Sequence, residues 1–214
     1  MNKKQKVYNR EDWSKFAIGY LSIAELALSE IIEKKHNSEF FDISNIYIPA
    51  LFNLKHGIEV MLKNFTIEFL NKEALDGSDY SHDIEEIFLR LQGEVKEERL
   101  KPAIENYEKE NPSDKGSFSG KSIFQELKRI IKKYQSIEVI KKYISTDFDI
   151  LDCDNTALKY PTNSLTIQLN YEKICSRVTL DDVKESLADT LKLAGIFWQL
   201  YIIIYHERIL MVKK

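Results

Sequence analysis

The chain has 214 residues and a mass of 25.1 kDa, with 43% hydrophobic and 30% charged residues; that is enough apolar material for one compact domain and too much for wholesale disorder. Seven glycines and four prolines argue against an all-β fold built on tight turns, and two cysteines, Cys153 and Cys175, exclude a disulfide framework or a four-cysteine zinc site. The formal net charge is −3 but is unevenly spread: residues 37–110 carry 8 basic and 16 acidic side chains, whereas residues 111–145 carry 8 basic against 3 acidic, a local excess that suits an anionic partner.

The basic start, Met1 to Lys6, runs into Val7-Tyr8-Asn9 without the apolar core of a secretion signal. From Asp12 to His36, Trp13, Phe16, Ala17, Tyr20, Ala24, Ala27, Leu28 and Ile31 recur at three- and four-residue steps, which predicts an amphipathic helix. A second helix is expected from Tyr47 to Asn71, with Pro49 in its first turn and Leu51, Leu54, Ile58, Met61 and Phe65 as its apolar stripe. Ser81 is the expected cap of a third helix buried through Ile84, Ile87, Phe88 and Leu91, with Asp83, Glu85 and Glu86 at its positive end. Glu94 to Glu110 reads as a charged segment that could be helical and Asn111 to Ser117 as a loop. A basic helix follows from Ser122 to Ser145, with Phe124, Leu127, Ile131 and Tyr134 on one face. Leu165-Thr166-Ile167-Gln168-Leu169 alternates like one strand of a short hairpin. Thr179 or Asp181 then opens a terminal helix to Val212, apolar nearly all round between Ile196 and Ile204. Its most apolar run, Leu193 to Tyr205, falls short of the roughly 20 residues a bilayer span needs, so a cytoplasmic protein without membrane contact is expected.

Three groups of residues could carry chemistry. His56, Glu59 and Lys63 share one face of the second helix; either His56 is an acid or base oriented by Glu59, or the face is an exposed or internally paired polar one with a Glu–Lys pair worth about 0.3–0.5 kcal/mol. His82, at the start of the third helix, is a second acid/base group or a locally bonded loop residue. Lys121, Lys128, Arg129, Lys132 and Lys133 on the basic helix could lie along RNA phosphates, with Tyr134 and Tyr143 stacking on unpaired bases, or form a solvated face. His206-Glu207-Arg208 places a His and an Arg near each other, a pair that could cleave RNA, with helix-end cations as the simpler account. No His-x₃-His or Cys-x₂-Cys spacing occurs, and Gly116–Lys121 is one residue short of a P-loop, so neither metal nor cofactor is expected.

The order of these pieces has a counterpart. An amphipathic helix precedes Leu54-Lys55-His56-Gly57-Ile58-Glu59-Val60-Met61-Leu62-Lys63; then come Ser81-His82-Asp83-Ile84 and, much later, Lys159-Tyr160-Pro161-Thr162. This resembles the HEPN superfamily over roughly residues 12–91 and 157–210, with 94–156 as an insertion or elaboration within a single domain spanning 1–214. The resemblance implies an all-α bundle of four to five helices, often dimeric, with a possible cognate protein partner; Leu193–Tyr205, on a helix too apolar for one buried face, is the expected homodimer surface. The resemblance also implies RNA or nucleotide binding in phage defence or toxin–antitoxin biology. The family's nuclease signature is an Arg followed four to six residues later by His. None of Arg10, Arg90, Arg99, Arg129, Arg177 and Arg208 is followed in that way, and Lys159 stands where the family's turn has Arg. The resemblance therefore implies a member without the standard chemistry. The alternatives are a ribonuclease with displaced groups, drawn from His56, Glu59, Lys63, His82 and Lys159, or a purely structural interaction module.

Overall fold

The computed structural model describes residues 10–34, 43–70, 81–116, 119–135 and 178–212. These form α1 (Arg10–Lys34), α2 (Ile43–Leu70), α3 (Ile84–Glu94), α4 (Glu97–Glu110), a single 3-10 turn (Pro112–Asp114), α5 (Gly120–Gln135) and α6 (Leu180–Val212). The protein is an all-α bundle, and no strand occurs among the described residues. The expected hairpin around 165–169, residues 136–145 of the basic helix, Tyr143, Lys159 and the Tyr160-Pro161 turn lie outside the described residues.

α1 lies along α2 and also touches α6; α3 joins α2 to α5, and α4 rests on α6. One apolar cluster runs through all six helices, including Leu28, Leu54, Phe65, Phe88, Leu100, Leu127 and Leu200. Segment 94–156, expected as an elaboration, thus supplies core side chains from both of its described helices.

Local chemistry moves some boundaries. α2 begins at Ile43, so Pro49 lies inside it rather than in its first turn. The proline costs one backbone N–H, which the buried flank of α2 against α1 outweighs. The cap of α3 is Asp83 rather than Ser81: its carboxylate accepts the Glu86 N–H at 2.9 Å. Ser81 works one step earlier, accepting the Asp83 N–H at 3.1 Å and donating to Glu86 at 2.7 Å. Residues 97–110 form a full helix despite their charge, because Leu100 and Ala103 are buried. Thr179 and Asp182 close a reciprocal box at the start of α6, with Asp182 accepting the Thr179 N–H at 2.9 Å.

Gly57 sets the approach of α1 to α2. A Cβ there would sit 2.9 Å from Leu21 Cδ2 and 3.3 Å from the Leu21 backbone nitrogen, so the helices meet closely only because the side chain is absent. This contact draws Tyr20 onto the neighbouring His56.

The apolar run in α6 divides into two faces. Leu193, Ile196, Phe197, Leu200, Ile203 and Ile204 enter the core, whereas Leu191, Trp198 and Tyr205, each seven residues apart, remain exposed. α6 is long and apolar enough by length and composition to cross a membrane, with a window of mean hydropathy 1.4. In this bundle its inner face is packed against protein.

Candidate functional site

The spacing of His56, Glu59 and Lys63 at i, i+3 and i+7 puts all three on one side of α2. That side is not solvated. Glu59 is 2% exposed and Lys63 is 5% exposed, which excludes an exposed pair and leaves the internally paired face beside the acid/base reading. Lys63 Nζ donates to Glu59 Oε1 at 2.7 Å. His82 reaches the same oxygen from the segment leading into α3, with Nδ1 at 3.0 Å, and His56 Nδ1 meets Oε2 at 3.3 Å. One buried carboxylate therefore gathers two imidazoles and an ammonium from two parts of the chain.

Burial by itself raises the pKa of Glu59. Hydrogen bonds from His56 and Lys63, together with the charge of Lys63, outweigh that and hold it at about 2. An ionised carboxylate only accepts, so both imidazoles must donate through Nδ1. In each neutral ring Nε2 then carries the lone pair, and no described residue bonds it. This is the arrangement in which a carboxylate orients a histidine for proton transfer.

Several neighbours lock the geometry. The His56 ring stacks on Phe52, with centroids 5.7 Å apart and planes within 8°, and meets the edge of Tyr20 at 4.5 Å. The segment bearing His82 is held by the Asp83 cap and by the Ile84 N–H, which donates to Gln135 of α5 at 3.1 Å. The two rings are open to solvent to different degrees: the His56 side chain is 27% exposed and that of His82 55%. A depression of about 380 Å³ beside Tyr20 is bordered by Lys15, Phe16, Gly19 and Ile23 of α1.

Of the sequence-derived candidates, His56, Glu59, Lys63 and His82 converge. Lys63 is the one whose role changes: its ammonium is buried on Glu59 and neutralises it, so it is not presented to a ligand. Among the described residues no three His, Cys, Asp or Glu side chains form a set able to hold a metal ion. At this carboxylate the reason is chemical, because an ammonium already occupies it.

The basic helix is less uniform than its sequence suggests. Lys121, Lys128 and Lys132 are exposed. Arg129 and Lys133 instead bind Asp189 of α6, at 2.7 and 2.6 Å, and Lys133 also reaches Glu185 at 2.7 Å. Tyr134, expected as a stacking ring, is buried and donates to Asp189 at 3.1 Å. Burial raises the Asp189 pKa, but its bonds from Lys133 and Arg129 prevail and leave it below the ordinary carboxylate range.

No family model, no characterised protein and no solved structure matches the chain. The site therefore rests on its own geometry.

His206, Glu207 and Arg208 serve as tethers between helices rather than free helix-end groups. His206 is buried and accepts from Asn106 at 2.9 Å. Glu207 accepts from Arg99 Nε at 2.5 Å, and Arg208 bonds Glu68. Sequence reading missed Tyr20, Phe52 and Asp189 as partners of the candidate residues. None of them left a distinguishing signal: Asp189 lies among Asp181, Asp182, Lys184, Glu185 and Lys192 in the charged first half of α6.

Proposed function

We propose that this chain is a HEPN-like helical protein that engages RNA or a nucleotide at the His56–Glu59–His82 cluster. Its setting is the cytoplasm, as an accessory or effector in phage defence or toxin–antitoxin biology. The order of the three sequence boxes supports the family and the setting. The observation that carries the site is the meeting of His56 and His82 on one buried, ionised carboxylate. The exposed lysines of α5, Lys121, Lys128 and Lys132, supply phosphate contacts.

The same observation favours a second reading, a ribonuclease with displaced catalytic groups. Nε2 of one histidine takes the proton of a ribose 2′-hydroxyl, and the oxygen attacks the adjacent phosphorus. The other histidine, protonated, gives its Nε2 proton to the departing 5′-oxygen. The products are a 2′,3′-cyclic phosphate and a 5′-hydroxyl.

Purified protein incubated with total RNA tests both readings. Cleavage with cyclic-phosphate ends should be lost in His56→Ala and in His82→Ala, each by about 100-fold or more. Fragmentation that survives both substitutions would dismiss this chemistry. Binding measured by fluorescence polarisation should weaken steeply as salt rises. Salt-independent binding, or none, would leave a purely structural interaction module.

The proposed partner is a second copy of the chain, met through the exposed stripe Leu191, Trp198 and Tyr205 on α6, although a cognate protein could use the same stripe. Sedimentation at micromolar concentration should show a dimer that Trp198→Glu dissociates. A wild-type monomer under those conditions would remove the proposal.

A further inference from the structure

A second cavity lies away from the histidine cluster, between α1 and α6, with a volume of about 220 Å³. Ile18, Ser22 and Glu25 repeat at helical spacing along α1 and face Ala194, Trp198 and Tyr201 of α6, with Met61 of α2 as another lining residue. Small side chains leave the space open: Ser22 and Ala194 line it where larger ones would fill it.

The walls are aliphatic and aromatic, and the polar groups sort by whether they are already used. Thr190 donates its hydroxyl to the Ser186 carbonyl at 2.7 Å. The Tyr201 hydroxyl is bonded by Ser14 and accepts from Asn64 at 2.6 Å. Glu25 has no hydrogen bond or ion pair with another described residue, and neither has Ser22. Glu25 is thus the single charged group among the described residues that line the cavity, and its charge is not matched by a described cation. Trp198, 67% exposed, offers an indole beside it.

We infer that this cavity is a binding site for a small organic cation, a primary amine on an aromatic or aliphatic body. A carboxylate, a hydroxyl and an indole are the groups that recognise such a ligand: the first pairs with the ammonium, the second accepts a hydrogen bond, and the ring face attracts the positive charge. The volume, below the roughly 300 Å³ of ordinary ligand pockets, limits the guest to a small amine. The inference is independent of the RNA reading, since it shares no residue with the histidine cluster; it shares Trp198 with the proposed dimer stripe, so the amine and a second copy compete for that ring.

The test is calorimetric titration with 2-phenylethylamine and with 2-phenylethanol, its neutral counterpart of the same shape. The amine should bind saturably at millimolar concentration or below, about tenfold or more tighter than the alcohol, a difference of about 1.4 kcal/mol. Glu25→Gln should abolish that preference, and Ala194→Leu, which fills the cavity without touching the charge, should abolish binding of both. Equal binding of amine and alcohol, a preference that survives Glu25→Gln, or no saturation at millimolar concentration would each overturn the assignment. Capture of an arginine-bearing peptide with no binding of the free amine would also overturn it, making the groove a docking surface.

Discussion

Replacing Glu59 with alanine should destabilise the protein by about 3–5 kcal/mol, because it strands a buried ammonium without its counter-ion. Lys63 has a side chain only 7% exposed, so solvent cannot take over from the lost carboxylate. The two histidines lose their common acceptor in the same step. A double variant, Glu59→Leu with Lys63→Met, removes both charges together and should recover most of the stability. It should not recover any activity that depends on oriented imidazoles. Urea denaturation of the three proteins checks the first part, and the RNA assay checks the second. A single variant as stable as wild type would contradict the buried pair.

The same carboxylate gives the protein an acid limb. Its pKa is about 2 in the folded protein against 4.5 as the ordinary value. The unfolded chain therefore takes up a proton before the folded one does as pH falls. The stabilisation is complete above pH 4.5 and is lost as pH drops toward 2, by about 3 kcal/mol in all. The double variant should lack this portion of the acid loss.

The second large effect is expected at Asp189. Its side chain, 6% exposed, accepts from Arg129, Lys133 and Tyr134, so Asp189→Ala cuts three bonds between α5 and α6. Arg129 is about half exposed and can turn to water, whereas Lys133 and Tyr134 are more enclosed. The expected cost is about 2–3 kcal/mol, below that of a fully buried pair. The substitution also removes one negative charge beside the basic face of α5, while Arg129 keeps Glu126 and Lys133 keeps Glu185 as partners. If that face meets phosphates, RNA binding at low salt should tighten while the denaturation midpoint falls. An unchanged midpoint would show that the α5–α6 ion pairs are ornamental.

Much of the helical layout was legible because burial imposes a period. Leu51, Leu54, Ile58, Met61 and Phe65 announce α2, and Ile84, Ile87, Phe88 and Leu91 announce α3, since only a helix places each set on one side. The ends were less legible. Ser81 and Asp83 are both good caps by type, and the choice between them depends on which side-chain oxygen accepts the Glu86 N–H. Residues 97–110 read as little more than a charged stretch because a helix packed mainly on α6 buries few side chains, Leu100 and Ala103 among them.

The amino-acid order by itself determined that His56, Glu59 and Lys63 share a helical face, because 3.6 residues per turn leaves no other outcome. It could not decide whether that face met water, since the period is the same for a solvated and a buried polar stripe. Tertiary packing decided it. The chain leading into α3 brings His82 across 23 residues of sequence to the same carboxylate, and α1 closes over Gly57 to press Tyr20 against His56. The same packing turned Arg129 and Lys133 toward Asp189, out of a row that looked continuous in sequence. Contacts between distant segments depend on which faces of the bundle meet, and the periodicity of any one helix does not encode that.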